Sequence, residues 1–148
     1  MRQALPPLIE ALLDPRRYPD PAARVELIET HASWLLLAGE FAYKIKKPVI
    51  LPFLDYGTLE KRRLCCEAEL RLNRRFAPQL YLSVVPIVGP PHDPQINGAG
   101  TAIEFAVRMH RFAEAGRLDH LCARGQLQWR QVSDLAATVA TFHDGASI

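Results

Sequence analysis

Phe41-Ala42-Tyr43-Lys44-Ile45-Lys46 is the stretch whose alternation decides how the rest of the chain is read. Side chains of a strand alternate between faces, so Ala42, Lys44 and Lys46 share one side while Phe41, Tyr43 and Ile45 take the other. If the lysine side is covered, its two ammonium groups require an anion. If the strand end is solvated, lysines there only discourage edge pairing. The helix that follows bears on the choice. At about 100° per residue, Cys65, Leu72 and Phe76 fall at i−4, i+3 and i+7 around Glu69, with Cys66 nearby, so Glu69 is expected to face inward. Glu67 falls on the opposite side with Glu60, Arg63, Arg71 and Arg74, at spacings for ion pairs on a wet surface. A carboxylate inside an apolar stripe is costly unless paired. A lysine from the inner face of the preceding strand is the natural partner; outward snorkelling, or a pair with Arg62, is the alternative.

Outward from this core, Leu5 to Leu13 has helical spacing with Pro6 and Pro7 in its first turn, and Asp14-Pro15 stops it. A Pro-rich connection, Tyr18 to Pro21, leads to a strand over Arg24 to Thr30, a break at His31-Ala32-Ser33, and a strand over Trp34 to Ala38. Gly39-Glu40 fits a two-residue hairpin turn that needs a positive backbone angle, which makes 41–47 the third strand. Pro48 and Pro52 end the sheet locally. Thr58 is the expected N-cap of a long helix reaching about Phe76, closed by Ala77-Pro78. Strands follow over Leu80 to Val88 and Thr101 to Met109, joined by the turn-rich loop Gly89 to Gly100. Helices are expected over Leu118 to Ala123 and Trp129 to Phe142. The class is α+β: an antiparallel sheet of about five strands, one long packed helix, and further helices after the last strand.

The chain has 148 residues, 49% of them hydrophobic, enough for one domain of ordinary size with a buried core. Eighteen Lys and Arg stand against 16 Asp and Glu, a net charge of +2, which provides no global field for nucleic acid or an anionic membrane. The run from Met1 to Ala23 is interrupted by Pro6, Pro7, Glu10 and Asp14, so it reads as neither a signal peptide nor a span, and a cytoplasmic location is expected. Cys65 and Cys66 are adjacent within a helical pattern and there is no C-x-x-C, so the three cysteines are expected to be reduced packing residues.

Phe41-Ala42-Tyr43-Lys44 resembles the V-A-I-K strand of protein kinases and the matching strand of aminoglycoside phosphotransferases, and Glu69-Leu70-Arg71-Leu72 resembles the start of their glutamate-bearing helix. Val107-Arg108-Met109-His110-Arg111-Phe112 and Leu118-Asp119-His120-Leu121 resemble the hinge strand and first helix of the second lobe. Nearly the whole chain is similar to the opening of a bacterial family of aminoglycoside-phosphotransferase-like proteins, through Glu29-Thr30-His31-Ala32-Ser33-Trp34, Ala42-Tyr43-Lys44-Ile45-Lys46-Lys47-Pro48, Leu59-Glu60-Lys61-Arg62-Arg63 and Glu69-Leu70-Arg71-Leu72-Asn73-Arg74-Arg75. The resemblance implies a kinase-like N-lobe over 1–109, with a leading helix and linker over 1–23, and the hinge and first helices of an incomplete C-lobe over 110–148. It implies that Lys44 contacts the α and β phosphates of ATP with Mg, that Glu69 orients it, and that Lys46 is the second choice for the phosphate lysine. The turn His31-Ala32-Ser33 would lie over the phosphates in place of a glycine-rich loop, offering N–H groups and the hydroxyls of Thr30 and Ser33. The backbone of His110 and Phe112 would meet the adenine edge, and Ala42 and Met109 are further cofactor-binding candidates.

The sequence to Ile148 has no H-x-D-x-x-x-x-N and no D-F-G. The resemblance therefore implies that the catalytic and metal-binding half of the cleft is absent, and that the chain as given does not turn over. Expected partners are a nucleotide, the missing C-lobe or a downstream domain, or a second copy docking on the exposed cleft face, with neither nucleic acid nor membrane. The competing readings are an interaction or self-association module and a kinase relic whose ion pair is structural. Three other signals read as structural. His110-Arg111-Phe112 lacks the aspartate of H-R-D, His143-Asp144-Gly145 is an ordinary helix end, and Gly98-Ala99-Gly100 has two glycines of a dinucleotide fingerprint inside a Pro-rich loop. The arginines of the long helix alternate with glutamates and carry no interleaved aromatics, against nucleic-acid binding.

Overall fold

The computed structural model describes residues 4–146, which fall into two compact units divided between Arg111 and Phe112. The first is an antiparallel sheet with a helix on each face. Its strands are β1 (Val25–Glu29), β2 (Ser33–Ala38) and β3 (Phe41–Lys46), then the short β4 (Ile50–Leu51) and β5 (Leu54–Asp55), then β6 (Tyr81–Val88), β7 (Gln95–Ile96) and β8 (Ala102–His110). Six of them form one sheet in the order β1-β2-β3-β8-β6-β7, while β4 and β5 make a separate ribbon. The helices are α1 (Pro7–Ala11) and α2 (Leu59–Asn73). Two of the pairings extend the expected five strands. Ile50 pairs Asp55 and Leu51 pairs Leu54, because Pro52 ends the main sheet yet suits a tight turn. Inside the 89–100 loop, Ile96 pairs Ile87 and Gln95 pairs Val88.

The hairpin between β2 and β3 is closed by Gly39 with φ +59°, where an added Cβ would lie 2.6 Å from the Pro21 carbonyl oxygen; only glycine fits there. Thr58 caps α2, its side chain accepting from the Lys61 N–H at 3.2 Å. The alternation of β3 is realised on both sides. Tyr43 and Ile45 are fully buried in a cluster with Ile9, Leu12, Trp34, Leu36 and Ala106. Ala42 packs with Leu37, Cys66, Val107 and Met109 on the side of α2.

The leading segment is part of the core, with Ile9 and Leu12 at 1% and 0% exposure. Tyr18 donates its hydroxyl to the Leu12 carbonyl at 2.7 Å, and Asp20 receives Arg108 at 2.7 Å. Arg108 in turn lies over the Phe41 ring at 3.8 Å.

The second unit carries α3 (Leu118–Ala123) and α4 (Trp129–Asp144). Their ends are closed locally: Gln131 accepts from the Gln128 N–H at 2.8 Å, and Gly125 follows α3 with φ +65°. No residue of α4 is buried. No helix among the described residues is long and apolar enough to cross a membrane. The packing role expected of the cysteines holds for Cys66, which is fully buried; Cys122 is exposed, because the turn of α3 that carries it has no buried residue.

Candidate functional site: two lysines on one glutamate

Lys44 and Lys46 project from β3 toward α2 and converge on a single carboxylate. The Lys44 Nζ donates to Glu69 Oε1 at 2.9 Å, and the Lys46 Nζ donates to Glu69 Oε2 at 2.6 Å. A third contact runs from the Lys46 Nζ to the Tyr56 hydroxyl at 3.3 Å, with the ammonium 4.8 Å from the centre of the Tyr56 ring. The lysines are not equivalent. The side chain of Lys46 is 3% exposed and that of Lys44 35%, with Glu69 at 13% between them.

Electrostatics follow the geometry. Burial pushes the Glu69 carboxyl up, but hydrogen bonds and charge from Lys46 and Lys44 outweigh it and hold the group below its ordinary 4.5. Burial pushes the Lys46 ammonium down, and the bond and charge of Glu69 more than reverse this. The Cys66 thiol beneath them is pushed up to about 12 by burial, against the opposing pull of Lys46, so it stays protonated and unreactive. Burial and the charge of Glu69 also raise the Tyr81 phenol on β6.

Glu69 faces inward as expected, but not within the expected stripe. Leu72 and Phe76 are 48% and 46% exposed. The line that meets the sheet is Arg62, Cys66, Glu69 and Asn73, spaced as one helix face. Arg62 is not a partner of Glu69. It forms a second buried pair, its Nε donating to the two Glu104 oxygens at 3.0 and 2.9 Å, and it donates to the Tyr56 carbonyl at 2.9 Å. Sequence reasoning missed this pair, although a carboxylate flanked by Ile103 and Phe105 in an apolar strand was a signal of the same kind as Glu69. Glu67 is surface charge as expected, paired with Arg63 at 2.9 Å. Arg74 does more than cover the surface: it donates to the carbonyls of Tyr81 and Leu82, tying the end of α2 to β6.

The remaining candidates spread around this centre. The Thr30 hydroxyl accepts from the Ser33 N–H at 3.0 Å and donates to the Ser33 carbonyl at 3.1 Å. It is consumed in closing the turn, and Ser33 is 5% exposed. Neither hydroxyl is offered outward, because a tight turn between two strands needs an internal brace. His31 is exposed, and the Lys47 N–H donates to the Ala32 carbonyl at 2.9 Å, which holds the turn beside Lys46. Ala42 pairs Met109 across β3 and β8, and both are buried on the α2 side. The His110 N–H is spent on the Leu80 carbonyl at 2.9 Å, and its ring stacks on Phe41 with centroids 5.4 Å apart. Phe112 is 55% exposed and lies in the second unit.

A cleft opens elsewhere, lined by Leu5, Glu29, Trp34, Lys47 and Val49. It shares no residue with the lysine–glutamate centre, and its cation is already engaged, Lys47 bonding Glu29 at 2.6 Å.

Three relatives, one from Mycobacterium bovis and one from each of two strains of Mycobacterium tuberculosis, are 33% identical to the chain over 122 residues, which is 82% of this chain and 23% of each of theirs. The chain is similar to uncharacterized mycobacterial proteins. It spans 23% of the length of these relatives. No family model matches it, and no solved structure matches it significantly.

Proposed function

We propose that the chain is the nucleotide-binding lobe of a kinase-like phosphotransferase of the aminoglycoside-phosphotransferase type, with Lys44 as the residue that meets the phosphates of ATP with Mg. The observation that carries this reading is the charge count at the centre. Two ammonium groups converge on one carboxylate, leaving one positive charge in excess, and the lysine that holds it open to solvent is Lys44. A strand lysine oriented by a helix glutamate is how protein kinases hold nucleotide phosphates, with the lysine on the third strand; Lys44 is on β3 and Glu69 on the next long helix. A phosphate would complete the neutralisation that Glu69 begins.

Ala42 and Met109 offer an apolar floor on the same side of the sheet. Among the described residues no group of three or more His, Cys, Asp or Glu could hold a metal, so magnesium would be carried to this lobe on the phosphates. The part of this chain is to bind and orient; no transfer step falls to its residues.

Titration calorimetry with ATP and magnesium tests the reading, folding being checked by circular dichroism. Wild-type chain is expected to bind and folded Lys44→Ala to lose binding. Unchanged affinity in the variant, or none in the wild type, sinks the proposal. The second reading, a docking module, has its own observation in α4, where the large apolar side chains of Trp129 and Leu135 are 83% and 48% exposed.

A further inference from the structure

We propose that Asp20, in the linker that follows the leading helix, is a positioning residue for the end of β8. Through Arg108 it holds, from the sheet face away from α2, the two strand ends that present Ala42 and Met109 on the other face, so that nucleotide affinity depends on this linker contact. The proposal rests on the reading of Ala42 and Met109 as the floor beneath a nucleotide, and goes beyond it by assigning a role to residues ahead of β1. The pairing of β3 with β8 makes the two faces inseparable. Ala42 pairs Met109 and both pack toward α2, while Phe41 pairs His110 and Tyr43 pairs Arg108. Alternation sends those four side chains to the opposite face, where Tyr43 and Phe41 join the cluster around Ile9 and Leu12.

On that face a chain of contacts runs from the linker to the last residue of β8. Asp20 Oδ2 accepts from the Arg108 Nη2 at 2.7 Å and from the Tyr43 hydroxyl at 3.5 Å. The Arg108 guanidinium lies 3.8 Å from the centre of the Phe41 ring, and Phe41 stacks on His110 with centroids 5.4 Å apart. Asp20 supplies the one ion pair of Arg108 among the described residues, and the Arg108 Nε is buried without a partner among them. The guanidinium therefore owes its place over Phe41 to Asp20. With its side chain 24% exposed, a released Arg108 has a short way to water. The neighbouring backbone adds a second brace. A Cβ on Gly39 would strike the Pro21 carbonyl oxygen at 2.6 Å, so the linker lies against the β2–β3 turn, and the next residue of that turn, Glu40, accepts the Arg111 N–H at 2.8 Å. The leading segment is itself tied down, by Ile9 and Leu12 in the core, by the Tyr18 ring 5.1 Å from that of Tyr43, and by the bond of Arg17 to Asp93.

The Asp20–Arg108 pair is open enough to water to add little to global stability, which separates an anchor of β8 from a merely structural contact. The test is carried out on the 148-residue chain by amide hydrogen exchange without nucleotide, then by calorimetry with ATP and magnesium, in wild type, Asp20→Asn, Asp20→Glu and Arg17→Met. In Asp20→Asn the urea midpoint is expected to stay near that of wild type. The amides of His110 and Arg111, bonded to the Leu80 and Glu40 carbonyls, are expected to exchange about tenfold faster, and ATP–magnesium to bind about fivefold more weakly. Asp20→Glu keeps the anion and is expected to recover most of both losses. Arg17→Met removes a different tie of the leading segment and is expected to leave both readouts unchanged.

Unchanged exchange at His110 and Arg111 in Asp20→Asn overturns the anchor. So does an equal effect of Arg17→Met, which would mean that any loosening of the leading segment suffices, and so does a fall of the urea midpoint with faster exchange across the whole sheet. Faster local exchange with unchanged ATP affinity overturns the link from the anchor to the floor. The exchange measurement needs no nucleotide, so a wild-type chain that does not bind ATP refutes the nucleotide reading, while exchange at His110 and Arg111 still decides whether Asp20 anchors β8.

Discussion

Glu69→Gln is expected to destabilise the folded chain by about 3 kcal/mol at neutral pH and to lower its thermal midpoint by roughly 10 °C. The substitution keeps shape and one acceptor but removes the anion bonded to Lys44 and Lys46, leaving an ammonium in a side chain 3% exposed with no bonded anion among the described residues. Lys44 is closer to water and contributes less. The pH dependence carries the same signature. Because the Glu69 carboxyl is held below its ordinary 4.5 in the folded chain, its stabilisation is present above that value and is lost as the pH falls through the lower folded one. Lys46, raised above its ordinary 10.5, contributes fully below that value and loses its contribution only as the pH rises past it. Urea denaturation followed by circular dichroism should therefore show a wild-type chain that weakens in acid, and a glutamine variant that starts lower and loses less over the same range. Equal midpoints for the two proteins at neutral pH would show that the carboxylate is not what holds the lysines.

The centre was legible because two periodicities meet there. The period of two in β3 placed Lys44 and Lys46 on one face, and the helical period placed Glu69 toward them; neither inference needed knowledge of the fold. What the helix period could not reveal was which line of α2 lies deepest. Leu72 and Phe76 suggested an apolar stripe, yet the helix turns Arg62, Cys66, Glu69 and Asn73 inward and leaves Leu72 and Phe76 about half exposed. Among the apolar residues of the sheet face it covers stand Lys44, Lys46 and Glu104, and the helix meets them with Glu69 and Arg62 rather than with leucine.

The difference between Lys44 and Lys46 was equally hidden, since alternation gives a side but not a depth; depth comes from Tyr56 and Cys66 closing around Lys46. The prolines misled in one place. Pro48 and Pro52 do end the main sheet, but Pro52 sits in the turn of the β4–β5 ribbon, where it has no ladder bond to lose. The leading helix was recognised from its spacing, whereas the burial of Ile9 and Leu12 depends on the apolar face that β2, β3, β6 and β8 assemble from distant parts of the chain.

The second large effect lies in the pair that sequence reasoning did not connect. Glu104→Leu is expected to lower stability by about 4 kcal/mol, whereas Arg62→Met combined with Glu104→Leu is expected to return to within about 2 kcal/mol of the wild type. Arg62 and Glu104 are 9% and 6% exposed, so removing one partner strands the other's charge in the interior, while removing both replaces a desolvated ion pair by apolar contact of similar volume. The double variant does not recover fully, because Arg62 also donates to the Tyr56 carbonyl and Glu104 accepts from the Phe105 N–H; in the double variant both of those groups lose a partner. Urea midpoints of the two single variants and the double variant give the coupling directly, and a double variant no better than Glu104→Leu would show that the pair contributes more than the charges it neutralises. The loss of the Tyr56 brace has a functional consequence as well. Tyr56 is the only hydroxyl bonded to Lys46 among the described residues, and without Arg62 its backbone keeps only the bond of its N–H to the Val49 carbonyl, so the recovered double variant should keep its fold while its Lys46 ammonium protons exchange faster with water.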